Sequence, residues 1–370
     1  MSLVTIDRCA PCGSKRRANR AAGFTLVELL TVMFIISALI AILIPSLNAA
    51  RNAAKKTSTM AAINSLRSSL DLFRQDNQRQ FVATNGYPPS FAHPRILNKA
   101  RDDIFDPCIG EFPFHADKPV VTGAHWLPAM LMGFDQLGYI DPKKVTKEKD
   151  LRYKPELWYT PDPLGDGTSL ERVGLYADPS GLKTVRTQDL PGRPGQDFLT
   201  SDTWDTVKDF PVIVDAWGQP LLYYAANANG TTSNMVSDKR NCNNDYGTED
   251  QEKGPPFYFH QDNHVFTGDE EKLGWDFDGE HAIARSGALL TAKELLDPAN
   301  LEAKESFARF IVDRALLRTL DKKKQEEGKD PPATTPLRPV NAESYLLISP
   351  GVDGRYGTSD DVTNFPLAAE

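Results

Sequence analysis

Residues 29–50 contain no charged side chain, and this run limits what the chain can fold into more than any other feature. As a helix it is long enough to cross a hydrocarbon core of about 30 Å. An ordinary secretory signal has a shorter apolar region of about 7 to 15 residues and ends at a small-x-small cleavage site. Leu47-Asn48-Ala49-Ala50 is a poor site of that kind. A buried core helix or a plain signal-anchor competes with the membrane span on length alone. Near the start of the stretch stands Glu28, a carboxylate that costs roughly a few kcal/mol in lipid unless it finds a partner.

Charge gives the segment a direction. Arg8, Lys15, Arg16, Arg17 and Arg20 precede it against Asp7 alone, and the whole chain carries −8, so the part beyond residue 23 carries about −12. The positive-inside rule keeps such a basic leader in the cytoplasm and sends the acidic body across. With 40% hydrophobic residues and a mean hydropathy of −0.41, the bulk is water-soluble, and the membrane part is local. An acidic body with no Lys/Arg stripe repels nucleic acid, whereas it suits divalent cations. Cys9 and Cys12 fall in the leader, where two thiolates leave a tetrahedral metal site half built. Cys108 and Cys242 allow one disulfide if the body is exported, and sequence does not place them within bonding range.

Gly23-Phe24-Thr25-Leu26-Val27-Glu28-Leu29-Leu30, with basic residues before it and an apolar run after it, closely resembles the signal of type IV pilins and type II secretion pseudopilins. The resemblance implies that a prepilin peptidase cuts after Gly23, that Phe24 becomes an N-methylated first residue, and that Glu28 is the glutamate at the fifth mature position. Pro45 falls where such proteins often carry a helix-kinking proline. Physics supports the role of Glu28. An isolated carboxylate in lipid needs a cation, and the amine freed after Gly23 on a neighbouring subunit would supply one and set the stagger between subunits. The leader is longer than many in the family. The implied location is the bacterial inner membrane, single-pass, N-terminus cytoplasmic, with the body periplasmic or extracellular.

Beyond the span, Met60, Ile63, Leu66, Leu70 and Phe73 step by three and four and predict a continuing amphipathic helix to about Gln78, ended by Asn85-Gly86-Tyr87-Pro88-Pro89. Residues 86–205 are rich in proline, glycine and aromatics, with 127–137 the best short helix, and they read as a large insertion. Strand signals return at 210–214 and 221–226. Between and into them, Asp215-Ala216-Trp217-Gly218-Gln219-Pro220-Leu221-Leu222-Tyr223-Tyr224 resembles the Asp-x-Trp-Gly-x-Pro-x-x-Tyr signature of major pseudopilins: Gly218 for the turn, Pro220 to start a strand, Trp217 to cover the sheet edge. A helix is expected over 302–326, with Phe307, Phe310, Ile311, Ala315, Leu316 and Leu320 on one side, and a buried strand over 344–349. The resulting expectation is an α+β, pilin-like fold: a long N-terminal helix on a small antiparallel sheet, with an inserted lobe. Its divisions are leader 1–23, assembly helix 24–80, inserted lobe 81–205 and sheet region 206–370.

The last of these ends in Ser349-Pro350-Gly351-Val352-Asp353-Gly354-Arg355-Tyr356-Gly357-Thr358-Ser359-Asp360-Asp361, a glycine-rich turn with three carboxylates. Calcium takes six to eight oxygen ligands, and such a loop can turn carboxylates and carbonyls inward, although its spacing is not that of an EF-hand. From composition alone, an acidic solvated turn competes with this reading. The segment resembles the calcium loop that closes major pseudopilins, which implies Asp353, Asp360 and Asp361 as side-chain ligands for Ca2+, with Ser349 and loop carbonyls beside them. His260 and His264 have helical spacing but lack the glutamate of a zinc hydrolase motif, and residues 241–250 read as a surface turn or a second calcium loop. No catalytic motif stands out, so the expectation is not an enzyme but a structural subunit of a type II secretion-like pseudopilus, partnered by other pilin-like subunits. The competing class is a membrane-tethered binding or enzymatic domain that borrows the leader for export.

Overall fold

A computed structural model describes residues 25–78, 81–90, 95–98, 101–106, 122–133, 136–140, 172–173, 175–192, 208–237, 254–268, 280–288, 290–297 and 299–367. The leader, Gly23, Phe24, Cys108, Cys242, residues 241–250 and most of the expected lobe lie outside them. The chain divides into two compact units, Met1–Arg51 and Asn52–Glu370.

The first helix, α1, runs Leu26–Asn77 with Pro45 inside it. Its later part buries Thr59, Ile63, Leu66, Ser69, Leu70, Phe73 and Asn77. Met60, expected on that stripe, is 37% exposed. Thr59 takes the inward place, where its hydroxyl accepts the Ala216 amide at 3.2 Å. The helix stops one residue short of Gln78, and Asn85 (φ 55) and Gly86 (φ 89) then adopt the left-handed conformation that reverses the chain.

Two antiparallel pairs follow, β1 (Arg95–Asn98) with β2 (Arg101–Asp106), and β3 (Tyr139–Ile140) with β4 (Arg172–Val173). Between them α2 spans Gly123–Met132, starting earlier than expected because the Thr122 amide is held by His125 Nδ1 at 3.0 Å, and stopping at Gly133 (φ 81). Next, β5 (Thr184–Arg186) pairs with β6 (Pro211–Ile213). The central sheet is antiparallel in the order β11 (Val362–Thr363), β10 (Tyr345–Ser349), β7 (Leu222–Ala225). All nine residues of β7 and β10 are buried. Side chains alternate across a strand, so Tyr223, Ala225, Tyr345 and Leu347 join Ile63, Leu66, Leu70 and Phe73 of α1, while Leu222, Tyr224, Leu346 and Ile348 enter a second core.

That second core is built mostly from residues 226–344, the segment between β7 and β10, with Ala124, Leu190, Val212, Val214, Tyr356 and Phe365 completing it. It contains β8 (Val236–Ser237) parallel to β9 (Tyr258–Phe259), and helices α3 (His264–Thr267), α4 (Ala292–Leu295), α5 (Leu301–Lys304), α6 (Phe307–Ile311) and α7 (Arg314–Glu327). The single helix expected over 302–326 is thus three helices. Ser306 Oγ accepts the Arg309 amide and Asp313 Oδ1 the Ala315 amide, and each such cap starts a helix anew. Phe307, Phe310 and Ile311 face the core, Leu316 and Leu320 pack partly against it, and Ala315 is exposed.

The outer edge of β7 is closed by side chains. Ser90 Oγ accepts the Ala225 amide at 2.9 Å and donates to Asp262, and Asn263 Nδ2 donates to the Tyr223 carbonyl at 2.7 Å. Such closure removes the unpaired backbone groups through which an edge strand would recruit another chain.

Candidate functional site

Two places carry the expected site residues. At the N-terminus, no residue from 25 to 51 is buried, and the most apolar window of α1 is 0% buried inside the chain. Leu26 is 78%, Phe34 72% and Ile42 74% exposed. A core helix would hide such residues, so that alternative falls away. Glu28 Oε2 accepts from both the amide and the hydroxyl of Thr25, each at 2.8 Å, and Thr25 Oγ1 accepts the Glu28 amide at 3.2 Å. This is a reciprocal capping box that satisfies two otherwise unpaired donors at the helix start. Thr25-x-x-Glu28 is legible in the sequence as a cap, and the reading of Glu28 as a lipid-facing charge passed over it.

The second place is where β6, β7, β10 and the C-terminal loop meet. Asp215 is 2% exposed, and its Oδ1 accepts the amides of Trp217 (2.8 Å) and Gln219 (2.9 Å). Gly218, at φ 95, completes the turn, and Trp217 lies partly buried on the α1 side with Lys55 Nζ 5.9 Å from its ring centroid. Ser349 Oγ donates to Asp215 Oδ2 at 2.6 Å. Burial pushes the Asp215 carboxyl up, against the opposing hydrogen bonds from Ser349 and the turn amides. Ser349 therefore ties the turn to β10.

The three aspartates of the loop come together around one hydroxyl. Thr358 Oγ1 lies 3.1 Å from Asp353 Oδ2, 2.6 Å from Asp360 Oδ1, 3.3 Å from Asp361 Oδ1 and 3.3 Å from the Arg355 carbonyl. A hydroxyl has one proton to donate, so it cannot satisfy four acceptor oxygens. Backbone amides hold the rest of the loop: Val352 (2.7 Å) and Asp353 (3.2 Å) donate to Asp360 Oδ2, Arg355 (2.7 Å) to Asp353 Oδ1, and Gly357 (2.8 Å) to Asp361 Oδ2. Burial, and then the charge of Asp360, raises the Asp353 carboxyl; burial raises Asp361 well above the usual range. For Asp360, burial acts upward too, but the Thr358 hydroxyl and the two amides bring it below its ordinary value. None of the three is ion-paired to a lysine or arginine among the described residues.

The loop is rich in the oxygens a hard cation prefers, and two of its three carboxyls are raised by burial. Asp353, Asp360 and Asp361 would hold it together with Thr358 and the Arg355 carbonyl, whereas Ser349 points its hydroxyl at Asp215. Among the described residues, however, no group of three or more His, Cys, Asp or Glu side chains is placed to hold a metal ion. His260 Nε2 and His264 Nδ1 each lie 2.8 Å from a backbone carbonyl, those of Ile283 and Gln261.

Sequence reading passed over several residues that shape this place. Tyr356 is 1% exposed, its hydroxyl donates to the Pro220 carbonyl at 2.7 Å, and its amide donates to His281 Nδ1 at 3.1 Å. Asn364 Oδ1 accepts the Leu347 amide and its Nδ2 donates to the Tyr345 carbonyl, prolonging the β11–β10 ladder with a side chain. Only the long-range pairing reveals these roles.

Comparison with known proteins bears on the first of these places. The family model of the prokaryotic N-terminal methylation motif matches residues 18–44, which include Gly23, Phe24 and Glu28. The type II secretion system core protein G of Pectobacterium carotovorum subsp. carotovorum is 29% identical over 94 residues, covering 25% of this chain and 60% of that protein. The protein of the same name from Klebsiella michiganensis is 29% identical over 87 residues, covering 24% of this chain and 60% of the relative. The chain thus spans less than two thirds of the length of these relatives, and no solved structure matches it. With a prepilin-type N-terminus, an apolar first half of α1 that is exposed and an α+β body, the chain is similar to pilins and pseudopilins.

Proposed function

We propose that this protein is a structural subunit of a type II secretion-like pseudopilus, anchored by α1 in the inner membrane and assembled through the same helix to support protein export. The observation that carries this reading is the exposed, uncharged face of α1 directly behind Glu28. In a bilayer that face meets lipid; in a filament it meets the same helix of other subunits, with lipid contact exchanged for helix packing. Prepilin peptidase cuts after Gly23, Phe24 is methylated, and Glu28 exchanges its Thr25 cap for the free amine of a neighbouring subunit. The activity is mechanical rather than catalytic. Calcium bound by Asp353, Asp360 and Asp361 neutralises the loop that joins β10 to β11, so the folded body is stabilised by an extracytoplasmic ion.

The N-terminal sequence of the mature protein tests the route: a methylated phenylalanine at position 24 is expected, and a start at any other residue sinks the reading. Glu28→Ala should then abolish incorporation into filaments while leaving the body folded. Unchanged assembly would favour a membrane-tethered domain that uses the leader only for export.

A further inference from the structure

After Glu28 the next acidic residue along α1 is Asp71, and the cations between them are Arg51, Lys55, Lys56 and Arg67. Three of these four follow the uncharged run 29–50 within six residues, in a chain that is strongly acidic elsewhere beyond its leader. Lys55 and Lys56 are exposed, and neither side chain has an ion pair or a hydrogen bond among the described residues. Lys55 instead lies over Trp217, its Nζ 5.9 Å from the ring centroid, and the Trp217 turn is tied to α1 by the Thr59 hydroxyl, which accepts the Ala216 amide. The ring keeps one of the two ammonium groups near a set position, so less freedom is lost when that group meets an anion.

Position on the helix identifies the anion. At 1.5 Å per residue, Lys55 follows Ala50 by about 8 Å of helix, and the headgroup layer on each side of a hydrocarbon core is about 5–8 Å thick. Tryptophan settles at that boundary, and lysine extends its ammonium into it. We propose that Lys55 and Lys56, with Lys55 backed by Trp217, bind the phosphate of anionic phospholipids in the leaflet from which the body emerges. The inference rests on the reading of α1 as a membrane anchor. An anionic leaflet repels the acidic body, and the two lysines hold the Trp217 turn to the membrane against that repulsion. Both contacts break if α1 leaves the bilayer, so anionic lipid raises the barrier to withdrawal.

The test is reconstitution of the full chain into phosphatidylcholine vesicles that carry a small fraction of either phosphatidylglycerol or phosphatidylcholine with a photoactivatable group near the phosphate, followed by mapping of the labelled residues by mass spectrometry. Labelling of the turn 215–220 reads this contact apart from any made by the basic leader. Wild type should be labelled there in preference by the phosphatidylglycerol probe. At about fivefold per lysine, the effect of about 1 kcal/mol for one basic residue at an anionic surface, Lys55→Gln/Lys56→Gln should lower that preference by about 30-fold. Lys55→Arg/Lys56→Arg should keep it, and Lys322→Gln/Lys323→Gln on α7 should match wild type. An unaltered preference in Lys55→Gln/Lys56→Gln overturns the inference, and so does an equal loss in Lys322→Gln/Lys323→Gln, which would mean that net charge alone sets it. A Lys55→Gln/Lys56→Gln chain that keeps the lipid preference but fails to enter filaments also overturns it, since the lysines would then serve the carboxylates of a neighbouring subunit. Flotation of the same vesicles is read separately: a wild-type chain that does not float with them sinks the membrane anchor itself, and the lipid contact with it.

Discussion

His125 shows how much a single side chain can reveal about where this molecule is vulnerable. It is fully buried on α2, its Nδ1 accepts the Thr122 amide, and its Nε2 has no hydrogen-bond partner among the described residues. Burial drives its pKa down to about 3, whereas an unfolded histidine titrates near 6.5. Because the folded pKa is the lower one, the contribution of His125 is complete above 6.5 and is lost as pH falls toward 3. Urea melts between pH 6.5 and 4 should therefore show wild type losing up to about 1.4 kcal/mol per pH unit more than His125→Asn. Parallel pH profiles would contradict this. At the same scale, Glu28, Asp353, Asp360 and Asp361 were legible because a charge in an apolar run and acids among glycines stand out in one dimension. Thr358, Arg355, Tyr356 and Asn364 were not, since their roles depend on which carbonyls and carboxylates the fold brings to them. Asp215 lay between: its turn was readable from Gly218 and Pro220, but its bond to Ser349 joins residues far apart in the chain.

At the scale of elements, period decided what could be foreseen. The steps of three and four from Ile63 to Phe73 identify the buried stripe of α1, and the short apolar runs before and after the Trp217 turn identify β6 and β7. The helix expected over 302–326 failed as one piece because its apolar spacing continues across Ser306 and Asp313, where side-chain caps compete with the helix for backbone amides. The stripe makes a direct prediction. Leu66 is fully buried between α1 and the sheet, and Leu66→Ala removes its methyl groups and leaves a cavity, which costs about 2–5 kcal/mol. Leu72→Ala, on the exposed side of the same helix, should change stability by less than about 0.5 kcal/mol. Equal losses in chemical denaturation would show that α1 does not pack on the sheet as described.

For the folded body, the decisive feature is that the central sheet has no wet face. One face lies under α1, and the other under residues inserted between two strands that pair directly with each other. The sequence signals for the sheet were read as a continuous region over 206–370, because nothing local distinguishes a strand's neighbour from a strand that pairs with it after a long excursion. Leu222, Tyr224, Leu346 and Ile348 are each 0% exposed, and at roughly 1.5–3 kcal/mol per side chain their burial is worth about 6–12 kcal/mol. That is comparable to the whole stability of a typical domain, about 5–15 kcal/mol. The inserted segment is then part of the folding unit rather than an ornament on it. Joining Ala226 to Ser344 through a two-residue Asn-Gly turn would restore a short hairpin at the point where the Ala226 amide already donates to the Ser344 carbonyl at 2.9 Å. The shortened chain should nevertheless aggregate, because the hairpin would present four large apolar side chains to water. Replacing those four by threonine in the shortened chain should return soluble protein with a β-sheet circular dichroism signal. A shortened chain that stays soluble and melts cooperatively without those replacements would show that the second core is dispensable.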